Sequence, residues 1–399
     1  MDMRKILTLM LSVLATFSLA AHAQAPIPMV IPKPSLPTPT IPEPPPPKQP
    51  SIEARSFILA DFNSGQVLAE KDLDHRVEPA SLTKVMSAYV VFDMLRKGKL
   101  SRSDMVVISE RAWKMEGSRM FAKVGSQLPV GDLLKGMIIQ SGNDSTVALA
   151  EHIAGSEDSF VSLMNQYAQR LGMTGSHFNN SAGMPDEYHY TTARDMYLLA
   201  VALIRDFPED YKEYSQKEFT HNGIRQTNRN RLLWLDATVD GIKTGHTSSA
   251  GYSLMVSAVR DGMRLVSVVL GTDSDKTRTQ ASLALINYGY RFFETRRLYS
   301  NAEALAQARV WKGDLSELPL GVGGDLFVTF PRGKYDELKV TLDRPRVLEA
   351  PIASGQDLGK VTIALADQVL QETPLIAKAE IARGGLFKQA FDSLLLLFE

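Results

Sequence analysis

The chain has 399 residues, of which 44% are hydrophobic and 22% are charged, as in an ordinary soluble globular protein with room for two domains. Its net charge of −1 lacks the basic excess of a nucleic-acid-binding protein, so no nucleic acid is expected as a partner. The sequence contains no cysteine, which excludes a disulfide scaffold, a thiol nucleophile and a cysteine-ligated metal.

Residues 1–23 are predicted to form an export signal. Arg4 and Lys5 give a positive start, and Ile6–Leu19 is an apolar run too short for a comfortable membrane span. Ala21–Ala23 fits the small-x-small pattern of a cleavage site. A buried N-terminal helix is the alternative. It does not explain why a positive start, an apolar run and a cleavage site follow one another in this order. We therefore expect the mature protein to work outside the cytoplasm.

Residues 24–50 are predicted to form a linker. From Pro26 to Pro50, 12 of 25 residues are proline, over half of the 21 in the chain. Proline restricts φ and has no backbone N–H, so this stretch should be an extended and solvated spacer. Recognition of the stretch as a polyproline II ligand is the alternative, and composition favours the linker.

Residues 51–297 are predicted to form an α/β (α+β) domain in which helices flank a sheet. Two pairs of strands are indicated by the turns at Asn63–Gly65 and Asp261–Gly262, the second being a strong hairpin signal. The predicted strands are Ser56–Leu59, Val67–Glu70, Tyr252–Ala258 and Arg264–Leu270. The predicted helices are Leu82–Leu95, Leu133–Ile139, Thr146–Ala154 and Thr279–Phe293.

Residues 298–383 are predicted to form a small all-β sandwich that serves as a stem or a protein-contact module. Short strand-like runs alternate there with Gly, Pro and Asp turns, and no nucleophile-and-base pair stands out. The runs are Asp325–Phe330, Leu338–Leu342, Val347–Leu348 and Val361–Leu365.

Residues 384–399 are predicted to form an amphipathic tail helix behind the hinge Gly384-Gly385. Leu386–Glu399 is too short to span a bilayer, but its broad apolar face suits the membrane interface. Docking of the helix on the protein's own core is the alternative. Since the tail carries one lysine against two acids, apolar burial and not attraction to anionic lipid would hold it there.

The first chemical motif is Ser81-Leu82-Thr83-Lys84. Residues three apart on a helix share a face, so the amine of Lys84 can reach the hydroxyl of Ser81. A serine is a poor nucleophile until a neighbouring base takes its proton, and a lysine can do so only when it is neutral. A pair on a surface helix is the alternative, but the apolar neighbours Ala80, Val85 and Met86 favour burial, which lowers a lysine pKa.

The second motif is Ser141-Gly142-Asn143. Ser141 can relay a proton towards a leaving amine, and the amide of Asn143 can bond both Lys84 and a substrate carbonyl. Taken alone, this tripeptide is a helix N-cap before the helix predicted at Thr146.

The third motif is Lys243-Thr244-Gly245, predicted on an edge strand that lines a cleft. Lys243 adds the cation that should lower the pKa of Lys84 and attract a substrate carboxylate. Thr244 adds a hydroxyl, and Gly245 has no side chain to block a substrate from approaching the strand. An oxyanion hole needs two N–H groups aimed at one point, and the backbone amides of Ser81 and His246 are the candidates.

The three motifs in this order are the signature of acyl transfer by an active-site serine in penicillin-recognising enzymes. The chain closely resembles the D-alanyl-D-alanine carboxypeptidases among the low-molecular-mass penicillin-binding proteins. The resemblance covers nearly all of the chain after the linker and includes four further segments: Thr191–Met196, Asn228–Asn230, Lys243–Thr247 and Arg291–Thr295.

The resemblance implies a penicillin-recognising serine transpeptidase/β-lactamase-like fold and a reaction on peptidoglycan. Ser81 would be acylated by the penultimate D-alanine of a pentapeptide stem that ends in D-Ala-D-Ala, and water would hydrolyse the acyl-enzyme after the terminal D-alanine leaves. β-Lactam antibiotics would acylate the same serine. The protein would lie in the periplasm, attached to the outer face of the inner membrane by Leu386–Glu399.

The resemblance also assigns residues to the substrate. Arg278 would bind the terminal carboxylate with help from Thr244, and Thr247 would complete the binding strand. Arg229 would contact the substrate, with a structural hydrogen bond as the alternative. His246 would affect deacylation, with Asp206 as a partner. A structural hydrogen bond is the alternative for Asp206 as well.

No cofactor and no metal are expected, since the chain has no His-Glu-x-x-His run and its seven histidines lack metal-ligand spacing. Three alternative functions stay open: a D,D-endopeptidase, a β-lactamase on the same fold, and a membrane-tethered wall-binding scaffold without catalysis. No Glu-x-x-Leu-Asn segment lies between Asn143 and Lys243 to hold a deacylating water as in class A β-lactamases.

Overall fold

The structure is a computed structural model that describes residues 48–398. The predicted export signal and most of the predicted linker therefore lie outside the described residues. The strands are β1 (Ser56–Asp61), β2 (Val67–Lys71), β3 (Met105–Val107), β4 (Gln127–Pro129), β5 (Glu218–His221), β6 (Ile224–Thr227), β7 (Val239–Thr247), β8 (Gly251–Arg260), β9 (Met263–Thr272), β10 (Phe293–Tyr299), β11 (Ala306–Trp311), β12 (Glu317–Gly321), β13 (Leu326–Pro331), β14 (Leu338–Asp343), β15 (Leu348–Glu349), β16 (Asp357–Leu365) and β17 (Gln368–Ala377). The helices are α1 (Thr83–Arg96), α2 (Glu110–Lys114), α3 (Val130–Lys135), α4 (Asn143–Ala154), α5 (Glu157–Arg170), α6 (Ala193–Asp206), α7 (Pro208–Tyr211), α8 (Leu232–Leu235), α9 (Asp275–Phe292) and α10 (Leu386–Leu395).

The central sheet has five antiparallel strands in the order β2-β1-β9-β8-β7. The predicted hairpin turn between β8 and β9 is confirmed, because Asp261 and Gly262 both take positive φ, 49° and 80°. β1 pairs with β9, where Ser56 lies opposite Leu270. β7 lies at the edge of the sheet, so one of its sides is free to receive a ligand.

Helices cover both faces of this sheet, as predicted. On one face Leu285 of α9 belongs to the same buried cluster as Leu59 of β1. On the other face Phe92 of α1 belongs to the larger cluster that includes Val266 of β9. Burial of apolar surface stabilises a fold by about 25 cal/mol per Å². Because both faces of the sheet are buried, the sheet is held between the helices, and its edge strand is held with it.

Three helices begin earlier than the sequence prediction: α3, which begins at Val130 and not at Leu133, and two helices whose first turn is polar. α9 begins at Asp275, four residues before the predicted Thr279, because the Ser274 hydroxyl caps it by accepting from the Thr277 N–H at 3.0 Å. α4 begins at Asn143 and not at Thr146, so the second motif enters the helix and does not merely precede it. In both cases the first turn is polar and falls outside the apolar periodicity from which the helix was predicted.

The C-terminal part is an all-β domain, as predicted. A six-stranded sheet in the order β14-β16-β17-β12-β11-β15 and the pair β10-β13 enclose a buried core that includes Leu320, Phe330 and Ile363. The sequence prediction missed β10, β11, β12 and β17, in which charged or polar residues and prolines interrupt the apolar alternation.

A hydrogen-bond cluster joins this domain to the central sheet. The hydroxyl of Thr295 in β10 donates to the buried carboxylate of Asp61 in β1 at 2.8 Å and lies 2.7 Å from the hydroxyl of Thr329. Thr329 in turn lies 2.6 Å from the Ser64 hydroxyl. Buried polar groups of this kind are costly unless they are satisfied, so the cluster favours one arrangement of the two domains.

The tail helix α10 contacts the C-terminal domain through its polar side. Asp392, with 2% of its surface exposed, accepts from the backbone N–H of Lys312 at 2.6 Å and from Lys388 at 2.9 Å. The apolar side faces outward, and Phe387 is 95% exposed. No helix within residues 48–398 is both long and apolar enough to cross a membrane.

Candidate active site

Ser81 lies in a tight turn, Ala80–Leu82, that leads directly into α1. Ala80 takes a left-handed conformation with φ of 48°, which is strained for a residue with a side chain. This conformation leaves Ser81 half-buried on the cleft wall. The Lys84 amine donates to the Ser81 hydroxyl at 3.1 Å, as the helical spacing predicts.

Lys84 is buried behind that wall, with 1% of its surface exposed. Its amine also donates to Oδ1 of Asn143 at 2.7 Å and to the carbonyl of Ala182 at 2.5 Å. Burial is the main cause that lowers the pKa of Lys84 from 10.5 to about 7, and the Arg229 cation lowers it further against the opposing charge of Asp144. A lysine of lowered pKa at hydrogen-bond distance from a serine is what the sequence predicts.

The second motif folds so that its serine and its asparagine point to different lysines. Ser141 ends a π-helical turn, Gly136–Gln140, in the left-handed conformation with φ of 65°. Its hydroxyl accepts from Lys243 at 2.9 Å. Asn143 bonds Lys84 through Oδ1 and donates through Nδ2 to the carbonyl of Glu116 at 2.5 Å, which holds its amide in one orientation.

The third motif lies on the edge strand β7, as predicted. The buried Lys243 has a pKa well below its usual range, first because of burial and then because of the Lys84 and Arg229 cations. The sequence analysis assigned to Lys243 the charge that lowers the pKa of Lys84. In the structure the repulsion between the two buried lysines disfavours the proton on each of them, and the Arg229 cation, which was not predicted to act here, lowers the pKa of both.

Gly245 has a role that the sequence analysis did not predict. A Cβ at this position would lie 2.9 Å from the carbonyl of Pro79 and 3.1 Å from Cγ of Leu82. Both atoms belong to the segment that carries Ser81. The glycine therefore allows β7 to pack directly on the nucleophile turn, in addition to lining the cleft.

His246 follows Gly245, and its exposed ring stacks on Tyr252 of β8 with 3.9 Å between the ring centroids. The predicted pairing of His246 with Asp206 is wrong. Asp206 lies at the end of α6, where it accepts from the Tyr89 hydroxyl at 2.7 Å and from Arg205 at 2.7 Å. The sequence carries no signal for Tyr252, whose position opposite His246 depends on the β7–β8 register.

Arg278 projects from α9 and is 5% exposed. Nη1 donates to the carbonyl of Gly245 at 3.1 Å, and Nη2 is paired with Asp275. Burial lowers the pKa of Arg278, and the charge of Asp275 opposes that effect. Arg229, by contrast, is exposed and forms no hydrogen bond or ion pair with any residue between 48 and 398, so the alternative of a structural hydrogen bond is not observed.

These residues meet at one cleft of about 990 Å³. Lys84 and Lys243 lie buried behind its wall. The hydroxyl of Thr247, at the end of β7, accepts from the Ala250 N–H at 3.0 Å and so also stabilises the following turn. The predicted residues that line the cleft are Ser81, Ser141, Asn143, Arg229, Thr244, Gly245, His246, Thr247 and Arg278.

Two further site-forming features were missed from the sequence. The first is the segment around Ala182 and Gly183, where Gly183 takes φ of +83° and a Cβ would collide with the Ala80 carbonyl. The second is His189, whose Nδ1 accepts from the Asn179 N–H at 2.9 Å, so that Nε2 carries the proton and donates to the Thr83 hydroxyl at 2.7 Å. Burial lowers the pKa of His189 to about 4.

Comparison with known proteins agrees with this site. The family model "D-alanyl-D-alanine carboxypeptidase", peptidase S11, matches residues 44–274. The chain belongs to the D-alanyl-D-alanine carboxypeptidase family. The model "Penicillin-binding protein 5, C-terminal domain" matches residues 293–383. The predicted activity, a serine-type D-alanyl-D-alanine carboxypeptidase, is thereby confirmed.

Individual relatives cover nearly the same range. The chain is 46% identical to D-alanyl-D-alanine carboxypeptidase DacC of Escherichia coli K12, over 88% of this chain and 89% of that relative. It is 44% identical to DacA of the same organism, with the same coverage. Penicillin-binding protein 5 from Haemophilus influenzae has a similar structure, with a TM-score of 0.83 and 42% identity over 84% of this chain and 99% of that one.

Proposed function

We propose that Ser81 is the nucleophile of this carboxypeptidase and that Lys84 is its general base. The observation that carries the proposal is the 3.1 Å contact between the two side chains, with the pKa of Lys84 lowered to about 7. The neutral amine takes the hydroxyl proton while the serine oxygen bonds to the carbonyl carbon of the penultimate D-alanine. The peptide C–N bond then breaks, the terminal D-alanine leaves, and water hydrolyses the ester.

Ser141 and Lys243 protonate the leaving amine in this proposal. Their side chains are 2.9 Å apart, which allows a proton to pass along the pair. Asn143 holds Lys84 and presents its amide to the substrate carbonyl. The N–H groups of Ser81 and His246 form the oxyanion hole, because Gly245 packs β7 against the nucleophile turn. His246 assists deacylation from its stacked position on Tyr252.

The substrate is a peptidoglycan stem pentapeptide that ends in D-Ala-D-Ala. Arg278 binds its terminal carboxylate with Thr244 and Thr247, since a guanidinium fork matches a carboxylate. Arg229, exposed in the cleft, contacts an acidic group further along the stem. β-Lactams acylate Ser81 at the same position.

The test is the mass of the intact protein after incubation with penicillin and with pentapeptide. Wild type should gain one penicillin and release D-alanine from the peptide, whereas Ser81→Ala should do neither while keeping its circular dichroism spectrum. A crosslinked dimer is offered in parallel. Penicillin labelling of Ser81→Ala would refute the nucleophile assignment, and cleavage of the dimer without cleavage of the pentapeptide would refute the substrate assignment.

The tail is proposed to attach the exported enzyme to the outer face of the inner membrane. The support is the outward apolar side of α10, on which Leu386 is 83% exposed and Phe391 is 61% exposed. Asp392 on the polar side contacts the C-terminal domain, so the polar side is not free to face lipid. Deleting residues 386–399 should leave an active enzyme that no longer sediments with neutral vesicles. Continued sedimentation of the truncated enzyme would refute the anchor.

The limits of the five segments are part of the same proposal: signal 1–23, linker 24–50, catalytic domain 51–297, stem 298–383 and tail 384–399. N-terminal sequencing of the exported protein tests the first limit. Limited proteolysis tests the others.

A further inference from the structure

Asp275 joins two arginines at the rim of the cleft. Its Oδ1 is paired with Nη2 of the buried Arg278, and its Oδ2 lies 2.8 Å from Nε of Arg231. All three residues line the cleft. Asp275 is the first residue of α9, whereas Arg231 belongs to the segment that carries Arg229, so the bridge connects two separate walls of the site.

Few of the donors of Arg278 are open to a ligand in the cleft. Of the five N–H groups of a guanidinium, those on Nη1 face the carbonyls of Gly245 at 3.1 Å and Ser253 at 3.5 Å. One on Nη2 is paired with Asp275, and the one on Nε is buried and has no acceptor within residues 48–398. Because the buried Nε is closed to a ligand, one N–H of Nη2 remains for the cleft, whereas a carboxylate that binds a guanidinium as a fork needs two.

A substrate carboxylate must therefore displace one partner of Arg278. The carbonyls of Gly245 and Ser253 belong to paired strands of the central sheet and cannot withdraw without breaking it. Asp275 can withdraw, because its side chain is 28% exposed and it already has a second partner in Arg231. The side chain of Arg231 is 68% exposed and so can follow the aspartate outward.

We propose that Asp275 occupies the carboxylate site of Arg278 as an internal substitute for the substrate, and that Arg231 determines how easily it is displaced. Arg231 is then a specificity residue that acts through Asp275 and contacts neither the nucleophile nor the scissile bond. The proposal deepens the assigned role of Arg278 in binding the terminal carboxylate and rests on it.

The test measures kcat and KM with two pentapeptides, one with a free C-terminal carboxylate and one with a C-terminal amide. Arg231→Gln should raise KM for the free peptide about twofold to fivefold, as expected for one exposed ion pair, and leave kcat unchanged. It should leave KM for the amide peptide unchanged. Arg225→Gln, which removes an exposed arginine paired with Glu218 away from the cleft, is the matched control and should change neither.

A double-mutant cycle tests the route through Asp275. The KM of Asp275→Asn for the free peptide should equal the wild-type KM or lie below it, because a neutral amide competes weakly for Arg278. In that background Arg231→Gln should have no further effect. A rise in KM for Asp275→Asn, an equal effect of Arg231→Gln on both peptides, or additivity of the two substitutions would each overturn the proposal.

Arg278→Gln separates this inference from the function on which it rests. It should remove the preference for the free peptide over the amide. If the preference survives in Arg278→Gln, the carboxylate site itself is wrongly assigned. If Arg278→Gln removes it and Arg231→Gln has no effect on KM, only the role of Asp275 and Arg231 is refuted.

Discussion

The rate at which a β-lactam acylates Ser81 should fall as the pH is lowered through about 7, because Lys84 accepts the serine proton only when its amine is neutral. At pH 7 a lysine with the ordinary pKa of 10.5 is neutral in about one molecule in three thousand. With its pKa lowered to about 7, Lys84 is neutral in about half of the molecules. One pKa unit corresponds to about 1.4 kcal/mol, so the folded protein disfavours the protonated amine by about 5 kcal/mol relative to water.

The structure also predicts how far one substitution moves that pH dependence. Burial is the largest cause of the lowered pKa of Lys84, and the Arg229 cation is the second. Arg229→Gln removes the cation but leaves Lys84 buried, so the midpoint should move upward by less than about one pH unit. Arg225→Gln makes the same chemical change outside the cleft and should leave the midpoint where it is.

The assay follows a fluorescent penicillin under single-turnover conditions from pH 5.5 to 9, at fixed ionic strength. The second-order acylation rate constant should rise to a plateau with its midpoint near 7. A rate that does not change over this range would refute the assignment of Lys84 as the base. A downward movement of the midpoint in Arg229→Gln would refute the electrostatic reasoning, because loss of a neighbouring cation must favour the protonated amine.

Three further predictions concern the framework. Gly245→Ala should slow acylation at least tenfold, because the added Cβ pushes β7 away from the nucleophile turn. Gly324→Ala is the control and should leave the acylation rate unchanged, because a Cβ there meets no atom within 4 Å. His189 should contribute a loss of about 3 kcal/mol to the free energy of unfolding from pH 6.5 to 4, because this buried neutral histidine binds fewer protons there than it does in the unfolded chain. Urea unfolding of His189→Gln should show a loss smaller by about that amount. Thr295→Val should lower the free energy of unfolding by about 1–3 kcal/mol by leaving the carboxylate of Asp61 short of a donor, with the acylation rate unchanged.

Sequence reasoning located the site because its chemistry is concentrated in side chains with characteristic spacing. Ser81 and Lys84 are three residues apart where the nucleophile turn enters α1, and the hairpin at Asp261-Gly262 is indicated by two residues. The convergence of the three motifs was inferred from their order alone. Their meeting depends on long-range pairing, such as Ser56 of β1 with Leu270 of β9, for which no local pattern exists.

Several contacts that build the site could not be predicted from the sequence. They involve backbone atoms, which every residue carries, or distances that only the folded chain determines. Lys84 is held partly by the carbonyl of Ala182, a group that every residue carries. From the sequence, Gly245 is expected only to leave room for the substrate. The structure shows in addition that a Cβ at this position would lie 2.9 Å from the Pro79 carbonyl. The source of the charge that lowers the pKa of Lys84 depends on burial and distance, which cannot be read from residue types.

The active site is assembled from conformations and charges that each cost stability. Ala80 and Ser141 take left-handed φ values of 48° and 65°, and two lysines are buried within each other's electrostatic influence. The buried clusters on both faces of the sheet must offset those costs, because no carboxylate among residues 48–398 forms an ion pair with either amine. A carboxylate beside Lys84 would stabilise the fold and raise the lysine pKa, and so remove the neutral base. Stability and acylation therefore place opposite demands on the same few positions.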